Sequence, residues 1–254
     1  MGTLPTPSSR REGRKVLRGK PSRAQHQKAS HRLISQILEQ LRERYPTVKV
    51  PLHHRNPLEL LIATILSAQC TDATVNRITP VLFARYRTAK DYASADPAEL
   101  EALIRPTGFY RQKARAIVNT CRTLMERFGG EIPRSMADLL TLDGVGRKTA
   151  NVLLSSARLE RWPGWDPQAE DGLGIVVDTH VRRVTRRLGL TQNTDPERIE
   201  RDLMALIPRE EWPTFPLRVI YLGRELCRAR NPLCHLCPLQ SLCPSATQQG
   251  TSRQ

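Results

Sequence analysis

Leu142-Asp143-Gly144-Val145-Gly146-Arg147-Lys148-Thr149-Ala150-Asn151-Val152 sets two glycines one residue apart, directly before an apolar helix-prone run. The stretch predicts a break between a short helix from Ser135 to about Leu140 and a longer one from Arg147 to Ala157. Glycine is needed where a backbone turns tightly or must approach another backbone closely. The amides that open the second helix then point outward, and with the helix dipole they form an anion site. A DNA phosphate fits such a site, directly or through a bridging cation. The arrangement is a helix-hairpin-helix module. The plain alternative is a tight turn between two core helices, with no ligand.

The same punctuation recurs on both sides. Ser30 reads as the cap of a helix through about Tyr45, with Leu33, Ile34, Ile37, Leu38 and Leu41 on one stripe and Pro46 as its stop. Asn56-Pro57 opens the next helix, with Leu58, Leu61, Ile62, Ile65 and Leu66 as its buried face. Further helices are expected from Thr71 or Asp72 to Tyr86, from Asp96 to before Pro106, and from Tyr110 to Phe128, closed by Gly129-Gly130. After the hairpin they run from Thr179 to Leu188, Pro196 to Leu206 and Phe215 to Leu226. Residues 160–174 hold two Trp, two Pro and three Gly and read as a surface loop. Val50-Pro51-Leu52 and Ile175-Val176-Val177 are β-prone but short. The fold class is therefore all-α, with about ten helices.

The 254 residues carry 40 Lys and Arg against 25 Asp and Glu, a net charge of +15 and a pI near 10.3. Such a balance calls for a polyanionic partner. Residues 1–30 hold eight bases and one acid, a net +7 that leaves +8 for the body. That arm reads as disordered and as a source of non-specific DNA affinity, with an organelle transit peptide as the alternative. Aromatics make up only 5%, which disfavours a platform that stacks successive single-stranded bases. No apolar run approaches the roughly 18–20 residues that span a membrane. Four of the six cysteines, Cys227, Cys234, Cys237 and Cys243, crowd into the last 28 residues. With no secretion signal they read as a metal site, either zinc or iron–sulfur.

Two further residues carry chemistry. Lys148 falls in the first turn of a helix, beside Arg147. Lysine is ordinarily protonated, with a reference pKa of about 10.4, but a helix N-terminus and a cationic neighbour both favour the neutral amine. Such an amine is a nucleophile. The plain reading is a solvated lysine touching phosphate. Asp178 precedes Thr179-His180-Val181 and reads as a helix N-cap. A carboxylate held this way stays ionised and suits stabilisation of a cationic sugar.

Three motifs together carry a family resemblance: Gly144 to Val152, Val177-Asp178-Thr179-His180, and Leu66-Ser67-Ala68-Gln69-Cys70-Thr71-Asp72 upstream. In that order, with the cysteine tail, the chain resembles the endonuclease III family of DNA glycosylases from about residue 31 to 244. The resemblance implies two helical domains with a DNA-binding cleft between them. One is discontinuous, 31–50 plus 175–244, and carries the cluster. The other, 51–174, is a six-helix barrel with the hairpin. Residues 245–254 are expected to be a disordered tail.

The resemblance also implies roles. Lys148 matches the Schiff-base lysine and Asp178 the acidic partner. Gln69 matches a glutamine that fills the gap left by a flipped base, and Phe109 falls where leucine is a common second wedge. Gly144, Val145, Gly146, Arg147 and His180 are expected at the DNA, His180 with a structural role as the stronger reading. The 6-2-5 spacing of Cys227, Cys234, Cys237 and Cys243 matches a [4Fe–4S] loop, which would bring Arg224, Arg228 and Arg230 to phosphate. The implied protein is a monomeric bifunctional glycosylase and abasic-site lyase, acting on damaged pyrimidines or abasic sites in double-stranded DNA, with no membrane. Bacterial cytoplasm is the expected location, with nucleus or mitochondrion if eukaryotic. A monofunctional mismatch glycosylase and a non-catalytic DNA-binding module are the alternatives. Lys148 weighs against the first. The chain departs from the family pattern at Asp143, where proline is common, at Phe109, in the longer loop from Trp162 to Gly174, and in its basic arm.

Overall fold

The computed structural model describes residues 23–162 and 172–249. Among these residues there are twelve α-helices and no β-strand. They are α1 Arg23–Arg44, α2 Pro57–Leu66, α3 Asp72–Arg85, α4 Ala89–Ala93, α5 Pro97–Ile104, α6 Tyr110–Phe128, α7 Met136–Leu139, α8 Arg147–Glu160, α9 Thr179–Arg187, α10 Pro196–Leu206, α11 Phe215–Glu225 and α12 Pro244–Gln249. The β-prone stretches at 50–52 and 175–177 are connectors.

Most helix starts follow their caps. Asn56 accepts from the Glu59 amide at 2.9 Å, with Pro57 in the first turn. Asp96 and Asp195 cap α5 and α10 in the same way, each before a proline. Three expectations need correction. Helix α1 begins at Arg23, so Ser30 lies within it and is not its cap. Ala24 to Ala29 contain neither Gly nor Pro, and the helix runs through them from Arg23. Residues 23–30, read as part of a disordered arm, are thus helical, and the rest of that arm lies outside the described residues. Helix α12 takes in the start of the segment read as a tail, and residues 250–254 are not described. Trp162, read as part of a surface loop, is 7% exposed and packs into the core. Residues 163–171 of that loop lie outside the description.

The buried side chains form two clusters. One gathers α2 to α8 around Leu60, Ile62, Leu66, Leu100, Ile117 and Leu153. The other packs α1 against α9, α10 and α11 around Ile37, Leu41, Val181, Leu203 and Phe215. The chain crosses between them at 45–52 and at 173–175. Buried polar groups tie them together. Glu200 of α10, 3% exposed, accepts from Arg147 Nε at 2.5 Å and from Asn151 Nδ2 at 2.8 Å, both on α8. Asn151 Oδ1 accepts from the Gly174 amide at 2.9 Å. A Cβ on Gly174 would stand 1.8 Å from Glu200 Oε1, so a larger residue there would have to push the Glu200 carboxylate off its partners.

The far end of α8 is fixed by a second pair. His54 Nε2 lies 3.0 Å from Glu160 Oε2, and its Nδ1 lies 2.8 Å from the Leu52 carbonyl. Burial opposes the charged imidazole, but the bonds to Glu160 and Leu52 outweigh it and raise the His54 pKa above 6.5. Burial likewise opposes the Glu160 carboxylate, and the bonds from His54 and Trp162 hold it below 4.5. The histidine contribution is complete below its unfolded pKa and fades as pH rises through the raised folded value. The glutamate contribution is complete above its unfolded pKa and fades as pH falls. The thermal midpoint lost in His54→Gln is therefore expected to be largest at about pH 5–6 and smallest near pH 9. A loss that grew towards pH 9 would contradict this pairing.

Candidate active site and cysteine loop

The hairpin between α7 and α8 is built as its glycines require, with one exception. Gly144 has φ +72°, and a Cβ there would stand 3.1 Å from Ala116 Cβ. Gly146 has φ −91° and open space where a side chain would go, so neither backbone nor packing demands glycine there. Its lack of a side chain leaves α8 with no side-chain cap, and the first-turn amides stay directed outward. Asp143 is held from α6: its Oδ2 accepts from Asn119 Nδ2 at 3.0 Å and its carbonyl from the Thr120 hydroxyl. Val145 is 6% exposed and belongs to the core, so only its backbone faces outward at the hairpin. Arg147 is half-buried and committed to Glu200, which also raises its pKa.

Lys148 and Asp178 line one cleft, together with Ser67, Asp72, Val152, Val176 and Arg224. The cleft draws on both core clusters. Lys148 is exposed and Asp178 half-buried. Asp178 Oδ1 caps α9, accepting from the Val181 amide at 2.7 Å. That bond occupies one carboxylate oxygen. Arg224, expected at phosphate, instead donates to Asp72 Oδ2 at 2.6 Å across the cleft.

His180 does not line this cleft. Its Nδ1 lies 3.1 Å from Arg183 Nη2, and its ring packs where a Gly223 side chain would stand. Burial lowers its pKa, against the pull of Asp178 and with help from Arg183 and Arg224. Gln69 and Phe109 are both exposed, Phe109 at 62%, so Phe109 is not a core aromatic. Both hold left-handed backbone, φ +52° and +48°.

The cysteine loop follows α11. Cys227, Cys234, Cys237 and Cys243 form no disulfide and line one small pocket with Val184, Leu222, Leu226 and Leu233. Among the described residues, no three His, Cys, Asp or Glu converge as a ligand set for a single ion. Four sulfurs around a shared apolar pocket fit a multi-iron cluster better than one tetrahedral ion. Arg187 completes the fit and was not foreseen from the sequence. Its Nη1 lies 3.3 Å from Cys227 Sγ and 2.7 Å from the Arg228 carbonyl, and its Nη2 lies 3.0 Å from the Ala229 carbonyl. A guanidinium donating to a sulfur suits thiolate ligands and orients them. Arg183 adds a bond to the Cys227 carbonyl at 3.1 Å.

Residues 62–209 match the family described as HhH-GPD superfamily base excision DNA repair protein. Residues 227–243, the segment bounded by Cys227 and Cys243, match the iron–sulfur binding domain of endonuclease III, a match that brings a [4Fe–4S] cluster with it. The endonuclease III of Synechocystis is 50% identical over 214 residues, covering 84% of this chain and 92% of the relative. That of Bacillus subtilis is 42% identical, covering 81% and 89%. A solved non-covalent endonuclease III–DNA complex is 42% identical with a TM-score of 0.76, covering 87% of this chain and 98% of the other. A trapped covalent endonuclease III–DNA intermediate, also 42% identical, gives 0.77 at the same coverage. The hairpin, the cleft and the cysteine loop thus occur together along nearly the whole matched length, and the chain belongs to the endonuclease III family of base excision DNA repair proteins.

Proposed function

We propose that Lys148 is the nucleophile and Asp178 the acidic partner of a bifunctional glycosylase and abasic-site lyase acting on damaged pyrimidines in duplex DNA. The observation that carries this reading is their shared cleft: an amine at the outward-facing start of α8 and a carboxylate at the start of α9. The damaged base departs with its bonding electrons while Asp178 stabilises the cationic sugar. The neutral Lys148 amine adds to C1′ and gives up one proton, O4′ takes a proton as the C1′–O4′ bond breaks and the sugar ring opens, and a protonated imine remains. The imine acidifies the adjacent carbon, which loses a proton, and the 3′ phosphate is eliminated. The amides of the hairpin hold the backbone phosphate, and Gln69 and Phe109 fill the space left by the flipped base, which must leave the stack to be reached.

The two core clusters correspond to two lobes, 31–50 with 175–244 and 51–174, that face each other across the cleft. The cluster supplies no bond-breaking step. It fixes the loop after α11, where Arg228 and Arg230 are exposed. No helix of the described residues is long and apolar enough to cross a membrane, and a monomer in bacterial cytoplasm fits the bacterial relatives. The test is borohydride reduction on abasic duplex, followed by digestion and mass spectrometry. The adduct is expected on Lys148. An adduct on another amine, or none from cluster-loaded protein, overturns the assignment.

A further inference from the structure

Lys113 is a charged residue that the proposed chemistry does not use. It lies in the first turn of α6 and is 5% exposed. A buried ammonium is costly unless its protons find acceptors. Here Nζ donates to the Leu66 carbonyl at 2.8 Å and to the Thr107 carbonyl at 2.8 Å. These acceptors lie 47 and 6 residues away in sequence and belong to different elements.

Their positions give the contact its meaning. Leu66 ends α2, three residues before Gln69. Thr107 ends the 3₁₀ turn Arg105–Thr107, two residues before Phe109. Gln69 and Phe109 are both exposed with positive φ, a conformation that is strained for a non-glycine residue. Such backbone persists only where its surroundings hold it. The Lys113 amide also donates to the Phe109 carbonyl at 3.0 Å. One residue thus grips the root of one tip with its ammonium and the root of the other with both ammonium and backbone.

We propose that Lys113 is a positioning residue that cross-ties the two duplex-opening tips, so that Gln69 and Phe109 enter the base stack as one rigid pair. The inference rests on the reading of those two residues as wedges. An ammonium suits the task because two carbonyl oxygens offer no donor of their own. A methionine of similar length fills the space and offers neither carbonyl a proton. The tips then lose their common anchor while the cleft of Lys148 and Asp178 keeps every contact described for it.

The test compares Lys113→Met and Lys113→Gln with wild type, all carrying the cluster, on two substrates. One is a fully paired duplex with an oxidised pyrimidine, which must be opened. The other is an abasic site flanked by mismatches, where little opening is needed. Lys113→Met is expected to lower the single-turnover rate on the paired lesion on the order of tenfold. It should change cleavage of the mismatched abasic site less than about twofold. A 2-aminopurine opposite the lesion should brighten less on binding. Lys113→Gln keeps N–H donors and should lose less than methionine, and it carries the comparison if the methionine variant does not fold. Equal losses on both substrates, or no loss on either, overturn the cross-tie. Gln69→Ala and Phe109→Ala separate the two inferences. If neither shows the paired-duplex defect, the wedge reading itself fails. If they show it and Lys113→Met does not, only the cross-tie fails.

Discussion

Replacing Lys148 by alanine is expected to abolish the borohydride adduct and to lower strand cleavage at an abasic site by at least about three orders of magnitude, roughly 4 kcal/mol of barrier. DNA binding should survive, because the hairpin amides come from the backbone and Arg147 is held by Glu200 rather than by Lys148. The loss is expected to be large because the proposed step is covalent: without the amine no imine forms and the adjacent carbon is not acidified. Lys148 is exposed, so alanine leaves no buried void and the variant should melt close to wild type. Equal cleavage by the variant would mean that another amine is the nucleophile. Loss of cleavage with base release retained would mean that water can replace the amine in the first half of the reaction.

Asp178→Asn is expected to separate structure from chemistry. Asparagine caps a helix about as well as aspartate, so the bond to the Val181 amide and the start of α9 should persist, with stability unchanged within about 0.5 kcal/mol. The charge opposite the developing sugar cation is gone. Base release should fall by about two to three orders of magnitude, roughly 3–4 kcal/mol. Asp178→Ala should lose the same activity and, in addition, about 1 kcal/mol of stability with the cap. Rates and melting curves of the two variants answer the question together. If asparagine retained full activity, the cap alone would be the role of Asp178.

Local signals were legible in the sequence. Asn56-Pro57, Asp96-Pro97 and Asp195-Pro196 start helices through bonds made within three residues, so the letters are sufficient. The five-residue helix after Thr88 escaped notice although its capping box with Asp91 is complete. It is too short to show a period. The start of α1 was misplaced because a cap-type serine at 30 looked like a boundary while its neighbours remained good helix formers. The spacing of the cysteines pointed to their site. Arg187, which holds their loop, looked like any other base on a basic helix. Long-range pairs were out of reach for the same reason. Nothing near Arg147 indicates a glutamate 53 residues on, and nothing near Lys113 indicates the carbonyl of Leu66. Buried polar partners are chosen by the fold, and a linear pattern carries no record of them.

Helix α9 has only nine residues, about 13 Å along its axis. Its first cap is Asp178, and its last residue, Arg187, grips the cysteine loop at three points. It contains no glycine or proline to act as a joint. The helix is therefore a strut between the cysteine loop and the carboxylate proposed to face the sugar. The position of that carboxylate is thus set in part by the loop that closes the other end of the helix, well away from the cleft it lines.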